Sequence, residues 1–393
     1  MHRASDHHQQ LAERLSVVLE GVAGFRPVGL HEPVFGGNEK VYLNECIDSG
    51  FVSSAGSFVN RFEEQLADYV GIPHAIALVN GTSALHLALV ALGIEPGDEV
   101  IVPALSFVAT ASAVSLAGAI PHFVDVSQST WGIDPDWLRE YLKTCLRRDG
   151  ENYFNKHTGR RVTAVVPMHT LGHPCDSPRI RDVADEFGLA LLEDAAESLG
   201  SFSGEVHTGL AGHAAVFSFN GNKTITTGGG GAIVTTNRDL ALKVKHLSTT
   251  AKVPHQFEFD HDAVGYNYRM PNINAALGVA QLEQLPGLVA FQRALYGRYK
   301  NALEGLGLGV LRSETPGTRS NYWLQALLLP DKFSHVKDAI ISTCLDRGVA
   351  VRPLWKPLNT LRPYQHCPTA ETPVAWDLYA RVICLPSSAS LVA

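Results

Sequence analysis

Seven short apolar runs between His74 and Thr235, separated by amphipathic sequence, constrain this chain more than any other feature. They are His74–Val79, Glu99–Val102, Ile120–Val124, Val162–Val166, Leu189–Leu192, Ala214–Phe219 and Gly231–Thr235. Strands this continuously apolar are buried on both faces, and alternation with helical sequence joins them into a parallel sheet covered by helices. The expected fold class is α/β, with a large domain built on a mostly parallel seven-stranded sheet. The charged stretch Arg147–Arg161 reads as a solvent-exposed excursion from it.

After Asn237 the pattern changes to a long helical stretch, Asn272–Leu306, interrupted at Pro286. An apolar run at Leu324–Leu329 and a helix near Val336–Arg347 follow, which predicts a smaller α/β C-terminal domain. The boundaries expected are an N-terminal extension of no assigned role over 1–29, a large domain over 30–245 and a small one over 246–393, with a ligand cleft between the lobes.

Hydrophobic residues make up 45% of the 393 and charged ones 18%, enough to bury a large core. A net charge of −7 and a pI near 6.2 argue against nucleic acid or an anionic membrane as partner. No apolar run is long enough to span a bilayer, and Met1–Gln10 is polar and His-rich, unlike a secretion signal, so the cytoplasm is the expected compartment. Six scattered cysteines read as reduced thiols, and none of the 17 histidines falls in a metal-ligand pattern, so no metal is expected.

Three segments carry candidate chemistry. Asn80-Gly81-Thr82-Ser83 follows a strand and opens a helix, where free N–H groups and hydroxyls can bind an anion; the alternative is that Thr82 or Ser83 is an ordinary cap. Asp194 ends a central strand, where open sheets bind ligands, and a carboxylate there can keep a pyridine nitrogen protonated; it can equally cap a helix. Lys223 lies between a strand and the tetrad Gly228–Gly231. Lysine is the one side chain with an amine able to form a Schiff base with an aldehyde cofactor, and burial makes it nucleophilic. Neither the phosphate-loop nor the dinucleotide glycine pattern fits these glycines.

Together with Leu30-His31-Glu32-Pro33, Gly50-Phe51-Val52-Ser53-Ser54, Glu193-Asp194-Ala195-Ala196-Glu197-Ser198 and Leu385-Pro386-Ser387-Ser388, these segments resemble the DegT/DnrJ/EryC1/StrS sugar aminotransferases. That family belongs to fold type I of the pyridoxal-phosphate enzymes. The likeness runs from about Leu30 to the C-terminal motif. It implies a pyridoxal 5′-phosphate cofactor on Lys223, alternating with the pyridoxamine form, and Asp194 opposite the pyridine nitrogen. It also implies phosphate ligands at Gly81, Thr82, Ser83, Ser218 and Asn267, the last reaching in from the second subunit of a homodimer. Phe107 stands where the family stacks a ring on the pyridine, the alternative being a core Phe.

Glu197 departs from the family, standing where many members have a Gln beside the cofactor's phenolic oxygen. With Phe219-Asn220-Gly221-Asn222-Lys223 and the glycine tetrad, it resembles the legionaminic-acid and bacillosamine type, which aminates C4 of a UDP-linked 4-keto-6-deoxy-N-acetylhexosamine. His169, Asn222, Tyr322, Trp323, Arg352 and Trp355 are candidate substrate contacts, with packing or surface placement as the alternative for each. The implied reaction is ping-pong, with an amino acid, glutamate, as donor. The alternatives are amination of another keto-sugar or a cyclitol, a pyridoxamine-dependent dehydratase, which would carry His in place of Lys223, and a non-catalytic binding protein of the same fold.

Overall fold

The computed structural model describes residues 2–24 and 27–392, residues 2–9 as helical backbone. Helices α1 (His2–Ala23), α2 (Glu39–Asp48) and α3 (Ser57–Val70) precede β1 (His74–Leu78), α4 (Gly81–Ala91), β2 (Glu99–Pro103), α5 (Val108–Leu116), β3 (Ile120–Val124) and α6 (Pro135–Cys145). A hairpin of β4 (Leu146–Asp149) and β5 (Asn152–Asn155) leads into β6 (Arg161–Val165), α7 (Ser177–Glu186) and β7 (Ala190–Asp194). Then come the short β8 (Phe202–Ser203) and β9 (Val206–His207), followed by β10 (Ala214–Ser218), β11 (Gly231–Thr235) and α8 (Arg238–Ser248). The C-terminal part holds α9 (Asn272–Leu303), β12 (Val310–Leu311), β13 (Thr318–Arg319), β14 (Gln325–Leu328), α10 (Lys337–Asp346), β15 (Arg352–Pro353), α11 (Pro373–Arg381) and β16 (Val382–Leu385).

The seven expected strands lie in one sheet in the order β1-β11-β10-β7-β6-β2-β3, which β5 and β4 extend to nine strands from the start of β6. Only β11 among them runs against the rest, pairing antiparallel with both β1 and β10. Alternation along the strands sends Ile76, Leu78, Val216 and Ile233 into a core under α4, α5 and α8. Their neighbours Ala77, Phe217, Ala232 and Val234 enter a second core with α3 and α9. Because the parallel strands share a direction, β2, β7 and β10 bring their carboxyl ends to one edge, and the site is built there. A smaller sheet, β12-β14-β16-β15, forms the C-terminal lobe. Among the described residues no helix is long and apolar enough to cross a membrane.

One expectation gains detail and one changes. The stretch 147–161 is exposed but ordered: β5 pairs antiparallel with the start of β6, and Arg147 and Arg148 lay their guanidinium groups over Phe154 and Tyr153. Its loop is tied down by the buried Glu99, which accepts hydrogen bonds from Asn155 Nδ2 at 2.8 Å and from the Thr158 hydroxyl, and which meets His122 Nδ1 at 2.9 Å. Pro286 does not interrupt α9, which is continuous over 32 residues. Leu282 and Leu285 before it, and Leu288 and Val289 after it, are all buried in one core. Burial of about 1.5–3 kcal/mol per large apolar side chain outweighs a local penalty of about 3 kcal/mol for the proline.

The N-terminal extension is also part of the packed structure. Leu11, Leu15 and Leu19 of α1 share a core with Leu295 and Tyr299 of α9 and with Ile340 and Cys344 of α10.

Candidate active site

Asp194 closes β7 with its side chain 2% exposed. One carboxylate oxygen accepts from the Thr110 hydroxyl at 2.7 Å and the other from the Ala196 N–H at 3.2 Å. Burial pushes this acid's pKa up, opposed by those two hydrogen bonds and by the charge of Lys223. Turns follow Asp194 and no helix, so it does not cap one.

Nor do Thr82 and Ser83 cap α4. The cap is Asn80, whose Oδ1 accepts the Ser83 N–H at 2.7 Å. The hydroxyls of Thr82 and Ser83 are left without a hydrogen-bond partner among the described residues. Two glycines make this corner possible. A Cβ on Gly81 would lie 2.9 Å from Ser218 Cβ, and one on Gly231 would lie 2.5 Å from the Asn80 carbonyl carbon. The last residue of the tetrad thus lets β11 pass under the start of α4, and Gly81 lets that start abut the end of β10. Helix N–H groups and the hydroxyls of Thr82, Ser83 and Ser218 form a cradle for an anion.

Lys223 follows β10 and is 14% exposed along its side chain. Its Nζ lies 3.5 Å from Glu197 Oε1 and 4.0 Å from the centre of the Trp323 ring. Burial lowers the pKa of the amine, while Glu197 and Asp194 oppose that fall. Glu197 is itself buried, and its second oxygen accepts the Leu171 N–H at 2.8 Å. Leu171 has φ 57°, a left-handed conformation costly for a leucine, and that turn aims its N–H at the carboxylate. Burial pushes the Glu197 pKa up to about 7, against the pull of Lys223.

This shift has a sign that can be tested. The folded state holds the Glu197 proton up to about pH 7, whereas an ordinary glutamate releases it near 4.5. Folded protein therefore binds more protons across that window, and stability falls as pH rises through it. Glu197→Gln should remove this fall, so the cofactor-free variant gains up to about 3 kcal/mol over wild type at pH 8 relative to pH 4. Urea denaturation of both proteins at the two pH values measures the difference, and equal pH slopes would refute it.

Phe107 precedes α5 and is 49% exposed, so it is not a core residue. Its ring lies 6.5 Å from Trp355, over which the Arg352 guanidinium sits at 5.4 Å, and the Arg352 charge is felt by both Glu197 and Lys223. Phe107, Trp355, Arg352, Trp323, Glu197 and Lys223 thus share one locality. Asn222 contributes its backbone, its carbonyl accepting the Trp323 Nε1–H at 2.7 Å.

Two candidate substrate contacts turn elsewhere. His169 is buried with Nε2 at 3.0 Å from Glu193, and its Nδ1 accepts the Cys175 N–H. Glu193 precedes Asp194 on β7 and so projects to the opposite face of the sheet. Tyr322 is buried against Tyr296, stacked at 4.4 Å, and against the edge of His173. Asn267 is exposed, beside β1 through the Tyr268 carbonyl that accepts the Val79 N–H, and its side chain has no partner within the described residues. Thr110 and Leu171 were missed by the sequence reading, since a helix-face hydroxyl and a backbone N–H leave no motif.

An anion cradle, a buried carboxylate without a bonded cation, a half-exposed aromatic ring and a desolvated amine fit a phosphorylated heteroaromatic aldehyde. Residues 34–393 match the DegT/DnrJ/EryC1/StrS aminotransferase family. The chain is 38% identical over 365 residues to GDP-perosamine synthase of Caulobacter vibrioides, covering 93% of this chain and 94% of that protein. In structure it is similar to PseC of Helicobacter pylori, an aminotransferase of pseudoaminic acid biosynthesis, with TM-score 0.84 and 26% identity over 93% and 94% of the two chains. It is also similar to DesI, solved in the presence of its TDP-sugar product, with TM-score 0.81 and 29% identity over 92% and 88%.

Proposed function

Because the chain belongs to the DegT/DnrJ/EryC1/StrS aminotransferase family, we propose that it moves an amino group from glutamate to C4 of a UDP-linked 4-keto-6-deoxy-N-acetylhexosamine. It is a pyridoxal-phosphate-dependent sugar aminotransferase, and the names of GDP-perosamine synthase and of DesI with its TDP-sugar product carry nucleotide-linked sugars. The observation that carries the reading is the placing of Lys223 Nζ between Glu197 and the Trp323 ring, in a site where Asp194 is buried. Glu197 and the segment Phe219–Lys223 support the UDP-linked acceptor. The identity to GDP-perosamine synthases supports a GDP-linked keto-sugar as the second reading.

When bound, pyridoxal phosphate supplies an aldehyde that captures the amine and a ring that accepts the electron pair of a broken C–H bond. The start of α4 with Thr82, Ser83 and Ser218 would hold the phosphate, Phe107 would pack against the ring, and Asp194 would keep its nitrogen protonated. Glu197, whose proton burial retains up to about pH 7, would in its protonated form donate a hydrogen bond where the usual glutamine does. Lys223 Nζ would take the α-proton of the donor amino acid in the first half of the reaction and deliver a proton to C4 of the sugar in the second. Asn267, exposed on this chain, would reach the phosphate held by a second copy, so the working unit would be a homodimer.

The test is an absorbance spectrum of the loaded enzyme with glutamate, then with either keto-sugar. Glutamate should bleach the visible band and the UDP-linked sugar restore it. Restoration only by a GDP-linked 4-keto-6-deoxy sugar would select the second reading. A band insensitive to glutamate would end the donor assignment.

A further inference from the structure

Two motifs of this chain take no part in the chemistry above: Leu30-His31-Glu32-Pro33 and Leu385-Pro386-Ser387-Ser388. They meet in space. The Leu30 carbonyl accepts the Ser387 N–H at 2.7 Å, and the Glu32 N–H donates to Ser388 Oγ at 2.8 Å. Ser387 Oγ accepts the Gln325 N–H at 2.8 Å, and Gln325 Nε2 donates to the Gln292 carbonyl at 3.1 Å. Gln292 Nε2 closes the circuit on His31 Nε2 at 2.8 Å. Upstream, Val28 is clamped in parallel to Val349, and α1 is packed on α10. His31 is therefore fixed at its ring, at both backbone neighbours and from the helix before it, although it lies outside residues 34–393 of the family match.

This circuit delivers the imidazole to Trp323. The two rings lie 6.4 Å apart, and the indole holds Lys223 Nζ at 4.0 Å from its centre. An amide N–H donated to Nε2 requires an unprotonated nitrogen there, so the ring is neutral. Burial and the charge of Lys223 keep it so, pulling its pKa down to about 3.

We propose that His31 is a positioning residue for Lys223, a fixed neutral wall that seats Trp323 over the amine and keeps water from it. The proposal rests on Lys223 being the residue that captures the cofactor. The charged and titratable groups that face the amine are Glu197, Asp194 and Arg352, with His31 beside them. Burial is the largest cause holding the Lys223 pKa down, so opening the wall lets water stabilise the ammonium and raises that pKa.

The experiment uses cofactor-free protein, with added pyridoxal phosphate as the probe. Its covalent capture by Lys223, trapped with borohydride and located by mass spectrometry, is followed against pH. In His31→Ala the midpoint of capture should rise by roughly one pH unit. His31→Gln, whose amide oxygen can accept from Gln292 where Nε2 does, should hold it near wild type. A His31→Ala protein that melts cooperatively and keeps the wild-type midpoint overturns the proposal. If His31→Ala does not fold, Gln292→Met, which unhooks the imidazole without removing it, carries the test: an upward shift supports the positioning role and no shift overturns it. No capture by the wild-type protein would instead refute the cofactor-lysine reading, so the two failures are distinguishable.

Discussion

Lys223→Ala should lower turnover by at least about four orders of magnitude, because in the proposed reaction the same amine captures the cofactor and carries the substrate proton. The side chain also does electrostatic work that must be separated from this. Its charge pulls down the pKa of Glu197 and that of Asp194, which are two buried carboxyl groups, and it occupies the face of Trp323. Removing it takes away the strongest charge that opposes burial at Glu197, leaving the Leu171 N–H and Arg352, so Glu197 should hold its proton to still higher pH. Lys223→Arg separates the roles. The guanidinium keeps a positive charge and a contact with the indole, but it does not deprotonate and forms no Schiff base. Lys223→Arg should therefore match wild type in thermal stability without cofactor and still be as inactive as Lys223→Ala. The check is single-turnover transfer from glutamate in all three proteins. Appreciable turnover by either variant would place the reacting amine elsewhere.

The parts of this enzyme that were legible in the sequence are those where local pattern and tertiary demand agree. The seven sheet strands are apolar because both faces are buried. Asp194 and Lys223 stand out because a carboxylate and an amine at strand ends need a reason to be there. The hairpin of β4 and β5 was not legible, since its strands carry Arg147, Arg148 and Asp149 outward and owe their order to contacts with Phe154, Tyr153 and Glu99. Pro286 misled for the converse reason: a strong local breaker sits in a helix held by burial on both sides. Asn80 was passed over as a cap because Thr82 and Ser83 offer the same chemistry two and three residues later, and backbone geometry alone chooses among them. For His169 and Tyr322 sequence leaves substrate contact and packing open, because the surroundings of each side chain, Glu193 for one and Tyr296 for the other, come from residues far away in sequence.

Asp194→Asn is expected to cost roughly two to three orders of magnitude in kcat, and its value as a test lies in what it does to the protein without cofactor. Asp194 is buried, accepts one hydroxyl and one backbone N–H, and forms no ion pair among the described residues. A buried carboxylate held only by neutral donors is destabilising until a cation arrives. The asparagine amide can keep both contacts. Its oxygen accepts the Ala196 N–H, and its NH₂ donates to Thr110 Oγ1, whose own proton can turn to Ser106 Oγ at 2.6 Å. Cofactor-free Asp194→Asn should thus melt no lower than wild type. Ligand binding stabilises a protein in proportion to the logarithm of ligand over Kd, so a site that has lost its charge complement gains less. Added pyridoxal phosphate should raise the melting temperature of Asp194→Asn by clearly less than it raises that of wild type. A variant that melts well below wild type without cofactor would mean that Asp194 is a structural acid paid for by the fold. A full cofactor-induced rise with full activity would mean that the ring nitrogen faces some other group.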